Sequence, residues 1–493
     1  MRLAGNTRPL SGDTKAALGL GLALALAAIA VGALAGLGGP LIAVGGLLAL
    51  GAALWALSNL EVGLWGAIGI ITVLPFAALP VKVVFTPTFL DLALGGVFFV
   101  YLMQWMSGRR RRLTVTRAHG PIAVFLALAV FSFVAGMNNG PLTSNLLRQF
   151  AELLLNIALT FVIVDYVQDW ATLNRLVRVL LLGGMAAAAL GLVLYFLPET
   201  VSEQALSALR AFGYPSGGVL RYIEDNPNNA QRAISTSVDP NFLGGMLAML
   251  GGLAAPQLLA RRPALGSRWL TALAVGLIFG CLLLTFSRGA MAGLALAVGG
   301  IAVLRYRRLV WVMALALVVV LVLPATREYV THFAEGLRGD DLATQMRFGE
   351  YKDALILIQR YPVLGVGFAG APEIDIYLGV SSAYLLMAEQ MGLVGLAAFG
   401  LVLAVVLGWA FAHRKAVYAT GDEPVGATAL WLGLHAGLAA ALVVGVVDHY
   451  FFEMSFQSAG TLFWLFVGLC LAATGLAARQ GNIIKIRRAA KSP

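Results

Sequence analysis

Three arginines stand in polar sequence beside long apolar runs. Arg232 opens Gln231-Arg232-Ala233-Ile234-Ser235-Thr236-Ser237-Val238-Asp239-Pro240-Asn241, and Arg288 sits in Thr285-Phe286-Ser287-Arg288-Gly289. Arg347 belongs to the stretch Gln345–Gly367, which also carries Tyr351 and Arg360. A guanidinium is planar, remains charged at any physiological pH, and grips phosphate through paired N–H donors. Several of them, arriving from separate loops, can neutralise the charge that develops on a departing diphosphate. A fourth feature, Asp448-His449-Tyr450-Phe451-Phe452-Glu453, sets a carboxylate next to an imidazole, a pairing suited to proton removal. Each feature also has a plainer reading. Asp239-Pro240-Asn241 is a helix start with Pro in its first turn, which makes Arg232 a loop residue near a cap. Arg288 can snorkel to lipid headgroups, and Arg347 and Arg360 fit the solvated side of a surface helix. Tyr and Phe after His449 fit an interfacial aromatic belt.

The elements that must position these residues are helical. Within Gln345–Gly367, Phe348, Tyr351, Leu355 and Ile358 recur at helical spacing, while Arg347, Glu350, Lys352 and Asp353 lie off that face. Pro362 stops the pattern and a Gly365-Val366-Gly367 turn follows. Such an amphipathic helix is expected to lie on a membrane rather than across it, with its apolar face on lipid or on neighbouring spans.

The chain of 493 residues is 60% hydrophobic and only 12% charged. Soluble domains carry roughly 25% charged residues, so this composition places the chain in a bilayer. The net charge of +10 then reads as basic loops on one side of a membrane rather than as a nucleic-acid surface. The expected fold class is all-α polytopic integral membrane protein with about 14 transmembrane helices, each long enough to cross ~30 Å of hydrocarbon. The expected spans are 16–37, 41–57, 62–79, 89–106, 121–135, 153–167, 177–197, 242–259, 269–286, 290–304, 309–323, 383–411, 426–447 and 460–477. With a cytoplasmic N-terminus, Arg109–Arg112, Arg175 with Arg178, Arg261-Arg262, Arg305–Arg308, Arg414-Lys415 and Arg487-Arg488 all fall inside. Both termini are then cytoplasmic, and two long loops, 198–241 and 324–382, face outward. The division that follows is 1–241, 242–411 and 412–493, with those loops closing the first part and lying within the second.

Other chemistries lack their signals. There is no Walker A sequence and no zincin or spaced His/Cys pattern, so no metal and no cofactor are expected. Cys281 and Cys470 lie inside apolar runs, and Asp340-Asp341 reads as solvated loop. The spans hold few ionisable residues away from their ends, which argues against an ion-coupled transporter.

In order, the motifs are Arg232 with Asp239-Pro240-Asn241-Phe242, Thr285–Gly289, Arg347 with Tyr351 and Asp353-Ala354, Tyr361–Gly367, and Ala388-Glu389-Gln390-Met391-Gly392-Leu393-Val394-Gly395. This series resembles the O-antigen ligase/polymerase superfamily of bacterial envelope glycan enzymes, with the family domain over about 245–406. The resemblance implies a GT-C-like membrane glycosyltransferase fold with a large helical periplasmic loop. It also implies metal-independent transfer of glycan, usually with inversion, from an undecaprenyl-diphosphate carrier at the periplasmic face of the inner membrane. By matching motif, Arg232, Arg288 and Arg347 bind the diphosphate, with Arg360, Tyr351 and Glu389 on the substrate. Ligases that this chain resembles carry a histidine shortly before the A-E-x-x-G-x-x-G stretch, where this chain reads Gly379-Val380-Ser381-Ser382-Ala383-Tyr384. That departure favours a polymerase of O-antigen or exopolysaccharide repeat units over a ligase acting on lipid A–core or another acceptor. His449 with Asp448, or His332, are the substitute bases. Partners implied are the lipid-linked glycan, membrane lipid, a chain-length regulator and a flippase. A lipid-linked oligosaccharide exporter is the alternative from another class.

Overall fold

The computed structural model describes residues 51–82, 84–322, 338, 342–371, 379–420 and 426–489. His332, the Asp340-Asp341 pair, the expected span 16–37 and most of 41–57 lie outside them. The chain divides into two units, Met1–Gly63 and Leu64–Pro493. In the first, residues 51–58 are helical. The second carries the candidate site residues.

The helices are α1 (Leu60–Val73), α2 (Phe89–Met106), α3 (His119–Ala135), α4 (Ser144–Tyr166), α5 (Trp170–Phe196), α6 (Glu199–Ser207), α7 (Pro240–Ala254), α8 (Arg268–Leu284), α9 (Arg288–Leu304), α10 (Arg307–Val322), α11 (Leu342–Arg360), α12 (Ala383–Thr420), α13 (Ala427–Val447) and α14 (Gln457–Ala489). A two-residue antiparallel pair, β1 (Arg221–Tyr222) and β2 (Gln231–Arg232), sets Arg221 opposite Arg232. Among the described residues seven helices, α2, α4, α5, α7, α12, α13 and α14, are long and apolar enough to cross a membrane. Four shorter apolar helices, α1, α3, α8 and α9, accompany them. The chain is therefore a mostly helical, multi-pass membrane protein, and every segment expected from Val62 onward coincides with a helix. Outward faces such as Trp311, Leu315 and Val322 on α10 are exposed apolar surface, as lipid contact requires.

Polar residues start these helices at the expected places. Thr88 and Asp91 form a reciprocal capping box on α2, with bonds of 3.0 and 2.7 Å. Thr143 caps α4 by accepting from Leu146 N–H at 3.1 Å, and Asp169 caps α5 by accepting from Thr172 N–H at 2.8 Å. The Thr143 cap starts α4 well before the expected Leu153, which draws Glu152 into the span as a buried residue. The spans are thus less free of ionisable groups than the sequence suggested.

Two ends of the bundle are distinguishable. At one, Ser458 Oγ at the start of α14 donates to the Pro75 carbonyl after α1 at 2.8 Å, and Arg148 of α4 bonds Asp91 of α2 at 2.9 Å. At the other, Arg110 beyond α2 pairs with Asp165 of α4 at 2.7 Å, and Arg178 of α5 donates to the Ala264 carbonyl before α8 at 2.8 Å. The basic clusters around residues 109–112, 175–178, 261–262, 305–308 and 414–415 adjoin helix termini of this second end.

α12 is broken at Gly392, which adopts φ +68°. The Pro362–Gly367 turn docks into that break. Leu393 N–H donates to the Pro362 carbonyl at 2.8 Å, Val366 N–H to the Glu389 carbonyl at 2.7 Å, and Gly367 N–H to the Gln390 carbonyl at 3.0 Å. A Cβ on Gly392 would lie 2.1 Å from the Val363 carbonyl oxygen, and one on Gly365 2.3 Å from that of Glu389. Two of the motifs noted in the sequence therefore serve each other through backbone contacts.

Candidate active site

Arg232, Arg288, Arg347 and Asp448 line one cavity, together with Glu224, Asn241, Phe286, Ser287, Gly289 and apolar residues. The cavity, about 80 Å³, has room for several water molecules. That suits a phosphate-sized head and leaves a glycan outside. It lies at the end of the bundle where α7 and α9 begin and α13 ends.

Each side chain is placed by a local device. Asp239 caps α7 by accepting from the backbone N–H of Asn241 and of Phe242, both at 2.8 Å, with Pro240 in the first turn. That orients Asn241, whose Oδ1 accepts from Arg232 Nη2 at 2.8 Å. Arg232 Nε donates to the Thr285 carbonyl at 2.8 Å, so the guanidinium ties β2 to the α8–α9 turn. Burial lowers the Arg232 pKa to about 10, partly offset by Asp239 and Asp225, while Arg347 and Arg288 push it down further. The like charges thus sense one another, and the group remains protonated at neutral pH.

Thr285 closes α8, its hydroxyl accepts from Ser287 N–H at 3.2 Å, and Phe286 turns the chain at φ +52°. Arg288 then begins α9, and Ser287 at the cap position makes no side-chain capping bond. Ser287, Arg288 and Gly289 line the cavity, so it lies at the positive end of the α9 dipole. On α9, a Cβ on Gly289 would meet Val447 Cγ2 at 2.7 Å, and one on Gly293 would meet Val444 Cγ2 at 2.7 Å and the Ala440 carbonyl at 2.8 Å. These small residues let α9 approach α13 closely enough to bring Arg288 and Asp448 to one cavity.

Among the described residues, five that are not glycine adopt positive φ: Glu224, Asp225, Ser235, Val238 and Phe286. All belong to the segments that carry the cavity, and Glu224 and Phe286 line it. Each costs of order 1–3 kcal/mol and persists only where its surroundings impose it, a pattern that marks ligand-binding sites.

On α11, Phe348 and Leu355 are exposed apolar surface of the kind lipid can cover, while Ala354 and Leu357 are buried and Arg347, Glu350, Tyr351 and Ile358 are half-buried. The inward face thus mixes apolar residues with Arg347, Glu350 and Tyr351. Tyr351 donates its hydroxyl to the Ser381 carbonyl at 3.1 Å, and burial raises its pKa. Tyr351 and the exposed Arg360 do not line the cavity.

Two other expected residues are placed differently. His449 stacks on Phe456, with ring centroids 5.8 Å apart and planes 22° from parallel, beside Phe76 and Phe242. The apolar attraction of these rings turns the imidazole away from the cavity that its neighbour Asp448 lines. Glu389 is fully buried, and the structure does not bring it to the cavity; its carbonyl receives the docked turn instead. Asp448 has its pKa raised by burial, against the opposing pull of His449 and Arg347. Sequence reasoning passed over Asn241, Ser287 and Glu224. Asn241 was visible in Asp-Pro-Asn, whereas Glu224 had no signal, because only the left-handed turn brings it in.

With this geometry in hand, residues 273–400 match the family model described as O-antigen ligase. The match covers about a quarter of the chain and supports the resemblance to the O-antigen ligase/polymerase superfamily that the motifs carry. No curated protein matches the chain. The O-antigen ligase stretch contains Arg288, Arg347, Tyr351, Arg360 and Glu389, while Arg232 and Asp448 reach the same cavity from outside it. The matched stretch therefore supplies part of the cavity lining, and residues outside it supply the rest.

Proposed function

We propose that the protein is a membrane glycosyltransferase that polymerises undecaprenyl-diphosphate-linked repeat units of O-antigen or exopolysaccharide at the periplasmic face of the inner membrane. The observation that carries this reading is the cavity shared by Arg232, Arg288, Arg347 and the uncapped start of α9. Three guanidiniums and a helix N-terminus around a phosphate-sized space are complementary to a diphosphate, most of all as it leaves with full negative charge. The bond between sugar and diphosphate supplies the driving force, so no nucleotide is required.

The placement also supports the periplasmic assignment. The cavity lies at the end opposite the basic clusters, and such clusters mark the cytoplasmic side. Both termini are then cytoplasmic, and donor lipid enters laterally from the outer leaflet. A polymerase is favoured over a ligase because the stretch Gly379–Tyr384, just before Ala388-Glu389, holds no histidine where ligases that this chain resembles carry one. Asp448 lines the cavity with Arg347, whose charge acts on it, while His449 does not line it.

The test is reconstitution of the full chain in proteoliposomes with undecaprenyl-diphosphate-linked repeats. A ladder of lengthened lipid-linked chains with free undecaprenyl diphosphate is expected. Transfer only to added lipid A–core makes the protein a ligase. Movement of the lipid across the bilayer with no new glycosidic bond makes it an exporter.

A further inference from the structure

We propose that Glu350 is the catalytic base that activates the acceptor hydroxyl; this rests on the lipid-diphosphate glycosyltransferase reading above. The strap before α12 is clamped between α11 and the end of α13. Ser381 N–H donates to Glu350 Oε2 at 2.9 Å, and the Ser381 carbonyl accepts from the Tyr351 hydroxyl at 3.1 Å. Ser382 Oγ donates to the Gly445 carbonyl at 3.4 Å, and Ala383 N–H to the Asp448 carbonyl at 3.1 Å. The strap that leads into the Ala388–Gly395 stretch, which holds no histidine, is therefore faced in space by a carboxylate delivered from the neighbouring helix.

Geometry separates Glu350 from the other acids. It lies one turn beyond Arg347 on the same inward face of α11, so their Cβ atoms are about 5–6 Å apart. Arg347 lines the diphosphate cavity and Glu350 does not. Inversion requires the leaving group and the attacking hydroxyl on opposite sides of the sugar carbon, so the base must stand outside the space that holds the diphosphate, as Glu350 does. Asp448 shares the cavity with the arginines, on the leaving-group side, and Glu389 has no exposed surface.

In the step, the Glu350 carboxylate takes the proton of the acceptor hydroxyl as its oxygen bonds to the anomeric carbon of the donor sugar. The carbon–oxygen bond to the diphosphate breaks, and its electron pair departs on the diphosphate, held by Arg232, Arg288 and Arg347. The proton passes from Glu350 to water when the site reopens.

Glu350→Gln keeps an oxygen to accept from Ser381 N–H and removes only the base. In proteoliposomes with undecaprenyl-diphosphate-linked repeats, the variant is expected to lose about 10²–10⁴-fold in chain extension. Its binding of undecaprenyl diphosphate should be unchanged. Azide, a nucleophile with no proton to lose, should restore release of undecaprenyl diphosphate by E350Q and not by R288A. Wild-type extension by E350Q while R288A is inactive overturns the base assignment and leaves the glycosyltransferase reading standing. Wild-type extension by both variants overturns the two together. A loss in E350Q that azide does not relieve and that is matched by lost diphosphate binding makes Glu350 structural.

Discussion

Arg148 and the cavity arginines lie at the same end of the bundle and are held in opposite ways. Arg148 Nη1 donates to Asp91 Oδ2 at 2.9 Å, Glu152 Oε2 at 3.1 Å and Gln457 Oε1 at 3.0 Å. Below it, the polar stripe of α4 continues at helical spacing. Thr461 of α14 donates to Asn156 Oδ1 at 2.6 Å, and Thr160 to the Trp464 carbonyl at 3.0 Å. These groups stand on regular helices and answer one another. Around the cavity, three guanidiniums share a described lining with two carboxylates, Glu224 and Asp448. They come from a short strand, a helix start and a separate helix, and left-handed Glu224 and Phe286 stand among them. Charge neutralised inside regular helices joins α2, α4 and α14. Positive charge gathered in excess at an opening, on strained backbone, is suited to a ligand.

The largest effect should fall on the α2–α4–α14 junction. Arg148→Ala removes the donor that bonds Asp91, Glu152 and Gln457 at once, and breaking a buried charge network by deleting one member costs about 3–5 kcal/mol. The double variant Arg148→Met with Glu152→Leu should recover part of it. Thermal unfolding in detergent measures both. Unchanged stability in the single variant would erase the contrast between the two regions. Next come Arg288→Ala and Arg347→Ala, each expected to retain the fold and lose about 10²–10³-fold in transfer, the usual cost of deleting a charge-stabilising donor. Lipid-linked single repeats should then accumulate, as thin-layer chromatography of extracted lipids would show.

A smaller change tests how the cavity is assembled. Gly293→Leu forces a side chain against Val444 and the Ala440 carbonyl. Overpacking of this kind costs about 1–3 kcal/mol and should also weaken diphosphate binding, because α9 moves away from α13. Asp448→Asn sharpens the electrostatic side. Burial holds the Asp448 pKa above its unfolded value. A carboxyl raised in this way favours folding fully below the unfolded value near 3.9, and that contribution is lost as pH rises through the native value. The asparagine variant should therefore melt at a higher temperature than the parent at neutral pH, and the difference should vanish in acid. A variant less stable at neutral pH would mean that attraction to Arg347 outweighs burial.

Much of this architecture was legible from sequence because length and apolarity alone define a span. The segment 89–106 was read to the residue, and α13 and α9 within two residues. Arg232, Arg288 and Arg347 were recognisable as basic residues that interrupt loops expected to lack them. Faces and partners were not legible. Helical spacing named Phe348, Tyr351, Leu355 and Ile358 as one apolar face of α11, but not that Phe348 and Leu355 turn outward while Tyr351 and Ile358 turn partly inward. Glu389 looked like a ligand residue by its motif, while the motif proves to be a backbone socket for the Pro362–Gly367 turn. Glu152 escaped notice because a threonine cap, not hydropathy, sets where α4 begins.

The smallest effect is expected at His449, the residue that sequence favoured as a base. Its ring stacks on Phe456, and its Nδ1 is buried without a hydrogen-bond partner among the described residues. His449→Phe keeps the ring area and removes the unpaired polar atom. Leaving a buried polar group unmatched costs about 1–3 kcal/mol, so an apolar ring of similar shape should be neutral or slightly stabilising. Chain-length distribution on gels should match the parent, and the melting temperature should hold or rise. Asp448 is one residue away and lines the cavity, so the two neighbours should give opposite results: its substitution alters the cavity, and that of His449 does not. Loss of long chains in a fully stable His449→Phe protein would place the imidazole at the acceptor after all. It would also require the aromatic cluster of Phe76, Phe242 and Phe456 to open during the reaction, which its dense ring contacts oppose.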